Sequence, residues 1–138
     1  MSTDNIKRLA KELRLGGIKN KIDDFLLEAI ANNYILQESI ELLLVREYKI
    51  RQANGIARRM RRARFPYKMG FETFRNSHLN PAIIQEIRTI DTLSFVKEKS
   101  NVILIGNPGV GKTALSIATG SKLCDEGGNI GFLIYLIW

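Results

Sequence analysis

Gly106-Asn107-Pro108-Gly109-Val110-Gly111-Lys112-Thr113 satisfies G-x-x-x-x-G-K-[ST] at every fixed position. The chemistry open to such a run is the holding of phosphate. Glycines let backbone N–H groups turn inward and meet phosphate oxygens with no Cβ in the way. A helix that opens at the loop adds the positive end of its dipole. Within this pattern Lys112 is placed to reach β- and γ-phosphates as a point charge, and Thr113 to present its hydroxyl to Mg²⁺. The candidate nucleotide-binding residues are therefore Gly106, Asn107, Pro108, Gly109, Val110, Gly111, Lys112, Thr113 and, completing the first helical turn, Ala114. Thr113 is the candidate metal contact, through the nucleotide.

A second group of residues carries charge. The chain has 21 Lys and Arg against 14 acids, a net charge of +7. Residues 46–75 alone carry +8, so everything else sums to −1. Arg58, Arg59, Arg61, Arg62 and Arg64 form the densest part. At 100° per residue the arginines at 58, 59, 61 and 62 flank or oppose the Ile56/Met60/Ala63 stripe. A helix here packs by one side and shows arginine on the other. Such a face serves salt-dependent contact with a DNA phosphate backbone, a solvated surface, or acids on a partner protein. Charge alone does not choose among them.

Other residue types offer less. Cys124 is the single cysteine and His78 the single histidine, which excludes an intramolecular disulfide and supplies few ligands for a metal site. Cys124 reads as a small buried apolar residue, and His78 as a linker or surface residue. Tyr67, Phe71 and Phe74 could stack on bases, but core packing is the better account of so close a cluster. No residue is assigned a catalytic role.

These groups need elements to position them. Helical spacing predicts helices over residues 1–15, capped by Ser2 or Thr3, and over 19–31, with Gly16-Gly17 as the break between them. A long helix is expected over 36–63, stopped by Pro66. Residues 65–79 read as irregular. Asn80-Pro81 opens a further helix to about Thr89, followed by a short one over 91–97. The pattern then changes. Val102-Ile103-Leu104-Ile105 predicts a buried parallel strand, 112–125 a helix, and 130–138 a second strand. The expected fold class is an N-terminal all-α domain followed by an incomplete α/β P-loop NTPase domain. The domains are 1–99, helical with a linker, and 100–138, opening the NTPase.

The composition fits one ordinary globular chain of 138 residues, 45% hydrophobic and 25% charged. The start has no apolar core of signal-peptide length, and the longest apolar run, 130–138, is too short to span a bilayer. A cytoplasmic location without membrane association is the expectation.

With the loop placed, the whole chain resembles the IstB-like family of ATP-binding proteins. These are ATPase helpers of insertion-sequence transposition, related to DnaC helicase loaders and DnaA-type AAA+ ATPases. Three stretches carry the resemblance. One is Arg46-Glu47-Tyr48 with Ala57-Arg58-Arg59-Met60-Arg61-Arg62-Ala63-Arg64-Phe65-Pro66. The next is Phe71 and Phe74 leading to Ile87-Arg88 and Asp91-Thr92-Leu93-Ser94-Phe95. The third is residues 101–123 around the loop. The resemblance implies ATP and Mg²⁺ as cofactors, an N-terminal domain engaging DNA or the transposase of the same insertion sequence, and an AAA+ domain that self-associates on DNA. It raises DNA above the other uses of the arginine face. Family members continue into a Walker B strand, a polar sensor and an arginine finger. Here the last acids, Asp125 and Glu126, precede the second expected strand. The expectation is a truncated copy, or part of a longer chain, that binds nucleotide weakly and hydrolyses it poorly. A non-enzymatic DNA- or protein-binding helical module with an inert loop, and a DnaC-like helicase loader, are the alternatives.

Overall fold

The computed structural model describes residues 2–75 and 79–133. Their regular elements are α1 (Asp4–Glu12), α2 (Gly16–Ala31), α3 (Leu36–Ala63), α4 (Glu72–Arg75), α5 (Pro81–Asp91), α6 (Ser94–Lys97) and α7 (Lys112–Asp125). The chain divides into two compact units, Met1–Gly55 and Ile56–Trp138. The change of sequence pattern near Ser100 falls inside the second.

The first unit is built on an apolar core of Ala10, Ile18, Ile22 and Phe25, with Leu15, Ala29, Leu42 and Leu43 packed against it. Gly16-Gly17 begins α2 instead of merely separating two helices. The reason is steric. An ideal Cβ on Gly17 would stand 2.5 Å from Ile50 Cδ1 and 2.7 Å from Glu47 Oε2, so glycine permits the close approach of α3. α2 has no side-chain cap of its own. Glu47 supplies one from α3: its buried carboxylate accepts the Ile18 N–H at 2.9 Å. That satisfies a first-turn donor that a helix cannot pair internally. Thr3 stands at the N-cap of α1 without a side-chain cap bond, and its hydroxyl instead donates to Asp23. Arg14, at φ 56°, closes α1, with Leu15 N–H donating back to Ala10 O at 2.7 Å.

The second unit gathers Phe71, Ile87, Leu115 and Ala118, packed with Met69, Phe74, Leu79, Ile90 and Leu104. α3 ends three residues before Pro66, where Arg64 turns to φ 58°. The N-cap expected for α5 is present: Asn80 Oδ1 accepts the Ala82 N–H at 2.9 Å, and Pro81 follows. The segment expected to be irregular contains the short α4.

The expected strands are corrected. Val102–Ile105 forms no ladder among the described residues, and Ile103 and Ile105 are 78% and 91% exposed instead of buried. Residues 130–133 form none either. The rest of that expected strand, 134–138, lies outside the described residues, as does His78. The physical reason is that a strand exists through a neighbour's backbone. An apolar run of β-branched residues supplies propensity for a parallel sheet, while the ladder and the two covered faces must come from elsewhere. The described architecture is helical.

Candidate phosphate loop and basic face

The loop lies between Leu104 and α7, and its geometry follows from its glycines. Gly109 and Gly111 have φ of 82° and 94°, values that cost an L side chain about 1–2 kcal/mol. Gly111 is also the N-cap of α7. A Cβ on Gly106 would press on Val110 Cγ2 at 3.2 Å. The chain therefore turns sharply into α7, whose first intrahelical bond runs from Leu115 N–H to Gly111 O at 2.9 Å. The N–H groups of Gly111, Lys112, Thr113 and Ala114 are the first-turn donors that no helix can pair internally.

Lys112 is anchored over this loop. Its Nζ donates to Gly106 O at 2.7 Å and to Asn107 O at 2.8 Å. The ammonium is thus held on the carbonyls at the start of the loop. Asn107, Pro108 and Val110 are exposed, as is Thr113 at the second helical position. From Lys112 and Thr113 a groove of about 730 Å³ runs along α7 past Ser116 and Thr119, walled by Val102, Ile103 and Leu104. Left-handed glycines, a helix start and a held ammonium fit a polyphosphate. For a divalent cation the fit is one protein hydroxyl, Thr113. Among the described residues no group of three His, Cys, Asp or Glu could hold a metal. A cation here would take its other ligands from phosphate and water.

The far end of α7 bears on the arginines. Arg58, Arg61, Arg62 and Arg64 are exposed. Arg59 is half-buried, and its Nε donates to Cys124 O at 2.6 Å. The spacing groups Arg59 with Arg58, Arg61 and Arg62 as arginines that flank or oppose the apolar stripe; in the structure Arg59 is the one on the flank and partly covered. The signal was present in the spacing, because Arg59 lies three residues after Ile56 and four before Ala63. That places it on the flank of the buried stripe. The wider basic block is also less uniform than its charge suggests. Arg46 makes a two-pronged pair with Glu28, at 2.8 and 2.5 Å, and stacks 5.3 Å from the Phe25 ring. Arg51 donates to Arg14 O at 3.1 Å.

The aromatic cluster packs inward in part. Phe71 is buried, with its ring centroid 6.5 Å from that of Phe74, while Tyr67 is exposed. Asp91 and Lys122 are joined at 2.6 Å, and Lys122 lies 5.8 Å from the Phe71 ring. Cys124 is fully buried, and burial pushes its thiol up from the ordinary value. No helix among the described residues is long and apolar enough to cross a membrane.

Residues 8–136 match the family described as IstB-like ATP binding protein. A protein of Pseudomonas aeruginosa named as an ATP-binding protein of insertion sequence IS21 is 32% identical over 126 residues, 91% of this chain and 47% of that relative. A second, from Geobacillus stearothermophilus and named for insertion sequence IS5376, is 31% identical over 99 residues, 72% of this chain and 39% of its own length. A third, from Bacteroides fragilis, is 23% identical over 93% of this chain and 62% of itself. The chain spans about half the length of the curated relatives it matches.

Proposed function

The chain belongs to the family of IstB-like ATP-binding proteins, and from that premise we propose that it is an ATP-binding accessory protein of DNA transposition. The observation that carries the reading is the loop. Gly109 and Gly111 lie at positive φ, α7 opens at Gly111, and Lys112 Nζ is held over Gly106 O and Asn107 O. In this reading the first-turn amides through Ala114 take phosphate oxygens, Lys112 exchanges its loop carbonyls for β- and γ-phosphate, and Thr113 touches Mg²⁺. The bound Mg²⁺ would neutralise phosphate charge.

Asp125 and Glu126 come twelve or more residues after Thr113, about 18 Å along α7 at 1.5 Å per residue, so neither is proposed to orient a water at the γ-phosphate. The sheet of an α/β AAA+ domain is proposed to form around Val102–Ile105 when further strands flank it. Arg58, Arg61, Arg62 and Arg64 are proposed to contact DNA phosphates without sequence preference. The transposase of the same insertion sequence is the proposed partner, with self-association on DNA and a cytoplasmic site of action.

Titration of the purified chain with a fluorescent ATP analogue and Mg²⁺ tests the central claim. Saturable binding, abolished or weakened at least tenfold by Lys112→Ala, is expected. Absence of binding, or binding indifferent to Lys112, sinks it.

A further inference from the structure

We infer that Arg59 is a positioning residue for the phosphate loop, set apart from the arginines that would meet DNA. The inference rests on the nucleotide-binding reading above and assigns a role within it.

Three contacts join the end of α3 to α7 and the chain that follows it. Arg59 Nε donates to Cys124 O at 2.6 Å, and that oxygen also accepts the Gly127 N–H at 3.2 Å. Phe132 N–H donates to Ala63 O at 3.0 Å, and Ala63 is buried. The Phe65 ring lies over Gly120, where a Cβ would stand 2.6 Å from its Cζ, and packs edge-on against Phe132 at 5.9 Å. Arg59 supplies the only charge among these contacts. It reaches one of the last carbonyls of α7, at the negative end of the helix whose positive end is the phosphate site.

That placement gives Arg59 two effects on the loop. The guanidinium pins the far end of α7, which fixes where the first-turn amides point. Its charge also stabilises the negative end of α7, which keeps the helix that carries those amides fully formed. Arg58, Arg61 and Arg62 sit on other sides of α3 and are exposed, so neither effect is open to them.

The test uses the full chain and the variants Arg59→Ala, Arg59→Lys, Arg59→Gln and Arg58→Ala. Affinity is measured for a fluorescent ATP analogue with Mg²⁺, and for a DNA duplex across a series of KCl concentrations. Arg59→Ala is expected to weaken nucleotide binding roughly two- to fivefold, the size of a charge effect at a helix end. It should leave the slope of log affinity for DNA against log salt unchanged. Arg59→Lys, which keeps charge and a donor, is expected to restore nucleotide affinity. Arg58→Ala should lower the salt slope by about 0.9 and spare the nucleotide. In a spectrum of arginine Nε–H groups, the wild type should give a slowly exchanging resonance that vanishes in Arg59→Lys. A reduced salt slope in Arg59→Ala with unchanged nucleotide affinity overturns the inference, as does the lack of that resonance. If Arg59→Ala does not fold, Arg59→Gln decides on the same two readouts. A wild type that binds no nucleotide overturns the loop reading itself. A wild type that binds while every Arg59 variant is indifferent overturns only the role of Arg59.

Discussion

The Phe65 ring occupies the place where a side chain on Gly120 would be: an ideal Cβ there lies 2.6 Å from Phe65 Cζ and 2.8 Å from Cε1. Glycine inside a helix costs about 1 kcal/mol against alanine. Gly120→Ala should therefore stabilise α7 if propensity governed. The overlap reverses the sign. Gly120→Ala is expected to lower stability by about 1–3 kcal/mol, the usual cost of overfilling a packed site. Thermal unfolding of the single variant and of Gly120→Ala/Phe65→Leu checks this. Recovery in the double variant is the expected outcome, and a stabilised single variant would refute it.

Glu47 makes a similar demand in the first unit. Glu47 is 5% exposed, and its carboxylate accepts the Ile18 N–H. Glu47→Ala strands that donor, which should cost about 1–3 kcal/mol. Glu47→Gln keeps an acceptor and should cost less. Urea unfolding of the three proteins reads the order directly, and equal losses for Ala and Gln would show that the hydrogen bond is not the stabilising element.

The pH response follows from two carboxylates. The Arg46 guanidinium bonded to Glu28 holds that carboxyl below its usual range. The Lys7 ammonium and the Thr3 hydroxyl do the same for Asp23. A depressed folded-state value means the stabilising charge is present above the ordinary carboxylate range and is lost as pH falls through it. Tm is therefore expected to drop on acidification from pH 5 to about 3. Glu28→Gln should flatten that drop, and an identical acid profile in the variant would count against the pairing.

Cys124 gives a chemical probe of the junction between α3 and α7. It is fully buried, and burial raises its thiol above the ordinary value, so little thiolate exists at neutral pH. A disulfide reagent should react slowly with native protein and rapidly in denaturant. Arg59→Ala is expected to speed the native reaction by loosening the end of α7. Fast labelling of the native wild type would contradict the burial.

Much of this was legible in the residues. Helical spacing located the long α3, and the Asn80-Pro81 pair located the start of α5, because both signals are local. The loop pattern located the left-handed glycines and the start of α7 for the same reason. Gly16-Gly17 misled, since its meaning depends on Glu47 and Ile50, some thirty residues away. The Val102–Ile105 strand misled because a ladder needs a second backbone. Arg59 was grouped with its neighbours by charge, although its place on the flank of the Ile56/Ala63 stripe set it apart. Cys124 as its partner could be found only in three dimensions.

Lys112 has one more consequence. Its ammonium already has two protein acceptors and one N–H left over, so an anion that takes more than one of its donors must displace the loop's own carbonyls. The lysine is thereby a built-in competitor. A weak or singly charged anion gains little from the exchange, whereas a chain of phosphates offers several charged acceptors at once. The same contacts hold a flexible four-carbon side chain in place beforehand, so less rotational freedom is left to surrender on capture. In the proposed reading, preference for polyphosphate over small anions rests on an exchange inside the loop as well as on attraction to it.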